Sequence, residues 1–261
     1  MNNTYTIGEV ASMLGITIDA IRFYEKKGLV HPQVNPKNKY RLFTIANILE
    51  LLDVIYYREF DLSISEIRSV LQSGTKESMQ CMLKEKKDEA KQRIKYETEM
   101  IQKIEYLENI FQIFNQKYEI QIKSFPKTRI LSQHHQKEEM MKSQISDFNK
   151  DCFVMSCLYS SYDLYDGSLK DLYMTIEEET MINLDIEYDQ FELLSLNQCL
   201  YAVVPFKNTT LNQSVLTDLL EYAKTHHLEC ENTVYVHEIP LTAYSDQSTY
   251  YAELYLPIKI T

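Results

Sequence analysis

Six cations gather in one short stretch, residues 22–41: Arg22, Lys26, Lys27, Lys37, Lys39 and Arg41, against Glu25 alone, a local net of +5. Phe23 and Tyr24 stand among them. Guanidinium and ammonium groups at this density suit contact with phosphate. A second group lies near the other end, in "TYYAELYLPI". Side chains alternate along a strand, so Tyr251, Glu253 and Tyr255 share one face. A carboxylate between two phenols can attract a cation, because ring faces and a partly desolvated charge act together. The chain has 20 Tyr and no Trp, and Tyr159, Tyr173 and Tyr201 are the further rings nominated for a pocket.

Other chemistries find less support. Five cysteines, Cys81, Cys152, Cys157, Cys199 and Cys230, are scattered and odd in number, with no CxxC. Neither a disulfide framework nor a zinc knuckle is implied. The His134–His135 and His226–His227 pairs and His237 show no metal-site spacing, so buried thiols and surface imidazoles are expected. There is no G-x-S-x-G, no HExxH and no glycine-rich phosphate loop. No nucleophile–base pair can be named, and neither a cofactor nor a metal is expected.

The net charge of −11 is unevenly distributed. Residues 1–74 and 75–115 each hold eight basic and eight acidic groups, and residues 116–261 carry the whole excess of acid. No run of about 18 apolar residues suggests a membrane span. The first residues, MNNTYTIGEV, lack a basic-then-apolar signal. A cytoplasmic protein without membrane contact is expected.

The elements that must hold the first group can be read from their ends. Thr6 and Glu9 have capping-box spacing and predict a helix over 7–14. Gly15 follows, and Thr17 caps a second helix to about Lys27. Asp19, Arg22, Phe23 and Lys26 share its outer arc. Gly28 can close it, although Lys26 and Lys27 also complement a helix C-terminus for structural reasons alone. "HPQVNPKNKYRLFT" reads as a β-ribbon. Thr44 opens a helix with Ile45, Ile48, Leu49, Leu52, Ile55 and Tyr56 placed on one face. Ser63 and Glu66 form another capping box. The sum is a winged helix-turn-helix.

"YTIGEVASMLGITIDAIRFYEKKGLV", "NKYRLFT" and "LSISEIRSVL" resemble, in order and spacing, the DNA-binding domain of MerR-family transcriptional regulators over residues 5–73. The resemblance implies that helix 17–27 enters the major groove of double-stranded promoter DNA. Thr17, Ile18 and Asp19 then lie at the reading end. Arg22, Tyr24, Tyr40 and Arg41 are the matching phosphate-contact positions, with Lys37 and Lys39 beside them in the wing. It also implies activation by distortion of promoter DNA, with RNA polymerase as a partner.

Residues from about Lys76 to Asn115 contain neither Pro nor Gly. Leu83, Ala90, Ile94, Ile101, Ile104, Leu107, Phe111 and Phe114 repeat at coiled-coil intervals. About 40 residues of helix span roughly 60 Å. Pairing with the same helix of a second subunit is expected, with Ile94, Ile101, Ile104, Leu107 and Phe111 in the seam; the resemblance implies an antiparallel homodimer.

The remainder reads as strand, strand, helix, strand, strand, twice over. "YEIQIKSF", "TRILSQ", "DCFVMSCLY", "LKDLYMTI", "FELLSL", "CLYAVVPF", "NTVYVHEI" and "YYAELYLPI" are the strands. Met140, Met141, Ile145 and Phe148 mark one helix, and residues 212–228 the other. An α+β fold follows, an antiparallel sheet with two helices on one side. The expected domains are 1–74, a winged helix-turn-helix, 75–116, a dimerising helix, and 117–261, an effector-binding domain. This last part resembles the gyrase-inhibitor-like domain of multidrug-sensing MerR proteins. That resemblance implies a small lipophilic effector, a hydrophobic cation being one form, met by an inner-strand acid at Glu253. Asp185, Glu187 and Asp189 are expected in a solvated loop. Alternatives remain open: a metal sensor, since metal-sensing relatives keep a ligand near Cys81; a thiol-based sensor of electrophiles; or an effector domain with hydrolytic activity.

Overall fold

The computed structural model describes residues 4–113, 118–136, 138–140, 154–207, 213–239 and 249–259. The chain divides into two compact units, 1–93 and 94–261.

In the first unit, α1 (Ile7–Leu14) begins at the Thr6–Glu9 capping box, in which each side chain accepts from the other's backbone N–H. It ends at Gly15, whose φ of 66° is a left-handed conformation that costs glycine nothing. Thr17 caps α2 (Ile18–Lys26). Strands β1 (Gln33–Val34) and β2 (Arg41–Leu42) pair antiparallel as the wing. Helix α3 (Ile45–Glu59) starts at a Thr44–Asn47 box and α4 (Ile64–Ser73) at the Ser63–Glu66 box. Val10, Ile21, Val30, Phe43, Ile48 and Leu51 close one core, and Leu29, Val54, Leu62 and Ile67 a second. Burying each such side chain contributes about 1.5–3 kcal/mol.

The residues grouped on one face of α3 divide: Ile48 is buried, whereas Ile45, Leu49, Leu52 and Tyr56 are open. Asn47, Leu51 and Val54 are buried with Ile48, and Phe60 is exposed with the open set. The open set has equally helical spacing, so periodicity marked an apolar stripe without saying what it faces. Helix α5 (Lys76–Ile113) starts at Thr75, whose hydroxyl accepts from Ser78 N–H while the Ser78 hydroxyl accepts from Thr75 N–H. The division between the units falls within this helix, at Arg93 and Ile94.

The second unit is built on eight strands: β3 (Gln121–Ser124), β4 (Thr128–His134), β5 (Cys157–Asp163), β6 (Leu169–Glu177), β7 (Glu192–Leu194), β8 (Gln198–Lys207), β9 (Thr233–Glu238) and β10 (Thr249–Pro257). They form one antiparallel sheet in the order β3-β8-β10-β9-β5-β6-β4-β7. The repeat read in the sequence has a spatial counterpart. One half contributes β4-β6-β5 and the other β8-β10-β9, each set carrying its last strand in the middle, and the two sets meet at β5 and β9. Helix α6 (Glu178–Asn183) follows β6, and α7 (Gln213–Thr225) precedes β9.

Leu200, Ala202, Val204, Ala252, Leu254 and Leu256 bury one sheet face with Val215, Leu216, Leu219 and Ala223 of α7. The opposite face carries Tyr159, Tyr173, Tyr201 and Tyr255 with Phe125 and Ile110 of α5. The strand expected over "DCFVMSCLY" is shorter: Val154 and Met155 are helical, β5 begins at Cys157, and residues 151–153 lie outside the described residues. So do Phe114, Met141, Ile145, Phe148 and Cys152.

Candidate functional site

The first unit presents its cations outward. Arg22 and Asp19 pair at 3.2 Å, both largely exposed. Arg41 Nε donates to Glu25 Oε1 at 2.8 Å, tying β2 to α2. Phe23 is 44% exposed with Lys27 Nζ 5.5 Å over its ring, and Ile18 is also open. Tyr40 is 71% exposed. Lys39 has a φ of 61° in the turn between the wing strands. Lys37 is exposed, whereas Thr17 is spent in part on the Ala20 N–H and Tyr24 packs on both cores. α2 and the wing therefore share one basic, partly aromatic face. Its arginines are held by single surface ion pairs, each worth about 0–1 kcal/mol, which a phosphate can replace.

The second unit holds a cavity of ≈ 320 Å³ between α5 and the polar side of the sheet. Strand register makes it. Val203, Glu253, His237, Tyr159 and Tyr173 stand in one row across β8, β10, β9, β5 and β6. Glu253 and His237 are directly opposed on β10 and β9, and His237 Nδ1 lies 2.8 Å from Glu253 Oε2. Tyr106 Oη of α5 donates to the same oxygen at 2.8 Å, and Tyr201 Oη donates to Oε1 at 2.7 Å. The His237 ring stacks on Tyr159, centroids 5.0 Å apart, and near-parallel to Tyr106 at 6.3 Å. Cys157 is two residues from Tyr159 on the same face, a diagonal neighbour of His237, and Lys103 Nζ donates to its Sγ at 3.3 Å.

The electrostatics follow from burial and pairing. Burial opposes the Glu253 carboxylate, but hydrogen bonds from His237, Tyr201 and Tyr106 outweigh it and hold the group at about 2. Burial likewise opposes the imidazolium, yet Cys157 and Glu253 together raise His237 to about 9. Burial pushes the Cys157 thiol up, while His237 and then Lys103 pull it down, with a net lowering. Burial raises Glu177, also on the wall, against the pull of Lys103 and His237. Glu99 of α5 accepts from Asn183 Nδ2 of α6 at 2.7 Å. Lys103, Lys123 and His237 thus face Glu99, Glu177 and Glu253 around one space.

Of the nominated pocket residues, Glu253, Tyr159 and Tyr255 line the cavity. Tyr201 reaches it only through its hydrogen bond to Glu253. Tyr251 packs behind the aromatic cluster, and Tyr173 turns its hydroxyl to Asp171 at 3.3 Å. Tyr251 and Tyr255 lie on the strand face of Glu253, and the hydroxyls of Tyr106 and Tyr201, from α5 and β8, also donate to its carboxylate. The reading of His237 as a surface imidazole is corrected: it is 5% exposed. Sequence reasoning missed Lys103, Tyr106, Cys157 and His237 as one cluster. The available signal was the alternation "TVYVHE", which puts His237 opposite to Val234 and Val236 on its strand. Asp185 is exposed in a turn, as expected of a loop acid, and pairs with Lys95. Among the described residues no group of three or more His, Cys, Asp or Glu is placed to hold a metal ion, and Cys81 is exposed.

On α5, Ile94, Ile101 and Ile104 are at least half exposed and Phe111 is 36% exposed. Leu107, grouped with them by spacing, packs instead toward the aromatic cluster beside Ile110.

Residues 5–74 match the family profile described as MerR HTH family regulatory protein. The HTH-type transcriptional regulator ZntR of Escherichia coli is 34% identical over 67 residues, 26% of this chain and 48% of that protein. The HTH-type transcriptional regulator CueR of Yersinia pestis is 42% identical over 65 residues, 25% of this chain and 47% of that protein. The chain thus spans about half the length of the curated relatives it matches. A solved structure of EcmrR with DNA aligns over 98% of this chain and 100% of its own, with 14% identity and a TM-score of 0.41, a likeness too low to argue from. No helix among the described residues is long and apolar enough to cross a membrane. Capping boxes, wing, spacing and profile agree: residues 5–74 of this chain are a helix-turn-helix domain of the MerR family.

Proposed function

We propose that the protein is a ligand-responsive transcription regulator that binds promoter DNA as a homodimer and senses a small lipophilic compound. The observation that carries this reading is the MerR-type domain with its cations gathered on α2 and the wing. An α-helix fits the major groove, and flanking cations neutralise phosphates. Two exposed apolar stripes support the dimer: Ile45, Leu49, Leu52 and Tyr56 on α3 with Phe60 just past its end, and Ile94, Ile101, Ile104 and Phe111 on α5. Neither is covered within its own unit, and a two-fold pair would bury both and present two heads. The expected consequence of effector binding is a change in promoter distortion that lets RNA polymerase engage. Such deformation costs a few kcal/mol, so the effector must favour one state by a similar amount.

The cavity is the proposed effector site. Tyr159, Tyr255, Met155 and Pro126 give it apolar surface, and buried charge surrounds them. Three basic and three acidic groups balance there, and Glu253 already has three donors. A hydrophobic cation therefore gains Glu253 only by displacing the His237 proton, so the aromatic wall, rather than net charge, sets the ligand class.

Thermal shift of the full chain against hydrophobic cations, neutral aromatics and anions tests this. A ligand at 100 times its dissociation constant adds about 2.7 kcal/mol to stability. Stabilisation by lipophilic compounds, lost when Tyr159→Ala opens the wall, is the expected result. A response to hydrophilic anions alone would refute the effector reading.

A further inference from the structure

The cavity wall carries a nucleophile that recognition of a reversible ligand does not need. Cys157 is 4% exposed and lies on the wall with Lys103, His237 and Glu253. A buried structural cysteine is ordinarily surrounded by apolar groups and inert. Cys199 is of that kind: it is fully buried, and burial raises its thiol to about 12. Cys157 has an ammonium 3.3 Å from its sulfur. Its diagonal neighbour His237 is fixed by Glu253 at 2.8 Å through Nδ1, which leaves Nε2 as the nitrogen free to serve the thiol. A nucleophile, a base and an acid that orients the base meet at a cavity, the geometry that activates a thiol.

We propose that Cys157 is a covalent acceptor for small lipophilic α,β-unsaturated carbonyl compounds that enter this cavity. The inference rests on that part of the proposed function which has the cavity admit small lipophilic compounds. Cys157 and His237 ionise as a thiolate–imidazolium pair, with the proton on His237 Nε2. The thiolate forms a C–S bond at the β-carbon, the C=C π pair moves toward the carbonyl, and the oxygen carries the enolate charge. Lys103, whose Nζ lies 3.3 Å from the sulfur, supplies positive charge beside it. The His237 imidazolium then returns the proton to the α-carbon, leaving a thioether that contains every atom of the thiol and the enone. No oxidant, reductant or other co-reactant enters. Tyr159, Tyr255 and Met155 favour an apolar electrophile over a charged one, and tight walls favour a small one.

The test uses the full chain with N-phenylmaleimide at pH 6.5, quenching by dithiothreitol and peptide mass spectrometry. Cys157 is expected to label at least about tenfold faster than Cys199 or Cys230, because reactivity follows thiolate fraction and access. A rate no greater than theirs, or labelling only in denaturant, overturns the proposal. His237→Gln and Lys103→Met should each slow Cys157 by about tenfold and move its pH–rate profile toward that of an ordinary thiol. If His237→Gln does not fold, Lys103→Met decides: an unchanged Cys157 rate in that folded variant removes the assigned activation. Two readouts separate the two readings: Cys157→Ser should lose the adduct, and thermal shift of the unaltered chain reads reversible binding. Reversible binding with an inert Cys157 sinks this inference alone, whereas labelling of Cys157 without any reversible stabiliser sinks the reversible-effector reading and leaves this one standing.

Discussion

The two units handle charge in opposite ways. In the first, Arg22 and Arg41 keep 62% and 45% of their side-chain surface open, and each has one acidic partner. In the second, the side chains of His237 and Glu253 keep 6% and 4%, and the carboxylate has three donors. An exposed charge interacts at long range, is screened by salt and changes partners cheaply. A buried charge is committed to its partners, and its removal leaves another group stranded. The first arrangement suits a polyanion whose phosphates recur along a surface. The second suits a small molecule that must be admitted, oriented and reported by a rigid wall.

The sharpest break of this comparison is Glu253→Ala. It leaves His237 without its carboxylate and Tyr106 and Tyr201 without an acceptor, so the second unit should lose about 3–5 kcal/mol, read by chemical denaturation. A loss below about 1 kcal/mol would place the pair in the surface class. A related effect appears with pH. Glu253 is held at about 2 against an ordinary 4.5, so its contribution is complete above about 4.5 and is lost as pH falls toward 2. His237 is held at about 9 against 6.5, so its contribution is complete below about 6.5 and is lost as pH rises through 9. Both act together between those limits. The thermal midpoint of the second unit should peak there and decline toward pH 9; a flat profile from pH 5 to 9 would contradict the pairing.

The exposed face of α5 gives the next effect. Ile101→Asp with Ile104→Asp puts two carboxylates into the proposed seam. The dimer should weaken by about 3 kcal/mol or more, over roughly 100-fold, and monomers should appear in sedimentation. Both positions are exposed within the chain, so the thermal stability of the separate subunit should hold. A fully dimeric double variant would move the interface elsewhere. Arg41→Ala should have the smallest effect. Stability should change by less than about 1 kcal/mol, as for a surface pair. DNA affinity should fall by a similar amount on every sequence, roughly fivefold, and the salt slope should drop by about 0.9. Altered base preference with an unchanged slope would remove Arg41 from the phosphate backbone.

The units also differ in how far the sequence disclosed them. Thr6 with Glu9, Thr44 with Asn47 and Ser63 with Glu66 act across three residues, so helix starts in the first unit could be read directly. The exposed face of α3 could not, because Ile45, Leu49, Leu52 and Tyr56 repeat as regularly as any buried stripe. Alternation placed Glu253 on the face opposite Ala252 and Leu254, and that placement matches the sheet. Its partners could not be read. Tyr106 is 147 residues away, Tyr201 52 and His237 16, while Lys103 reaches Cys157 across 54. Such meetings depend on strand order and register, which hydrophobic pattern constrains only within each strand. Tyr173 was nominated for its type, yet its hydroxyl points to Asp171; ring chemistry alone does not distinguish a wall from a core.

The central claim is that α2 and the wing read duplex DNA as a two-fold pair. Selection of bound duplexes from a random pool, followed by fluorescence anisotropy on the selected site, tests it most directly. The selected site should hold two related half-sites, bound by two chains and at least about 1,000-fold more tightly than a scrambled duplex. Equal affinity for selected and scrambled duplexes, with the same salt slope, would contradict it.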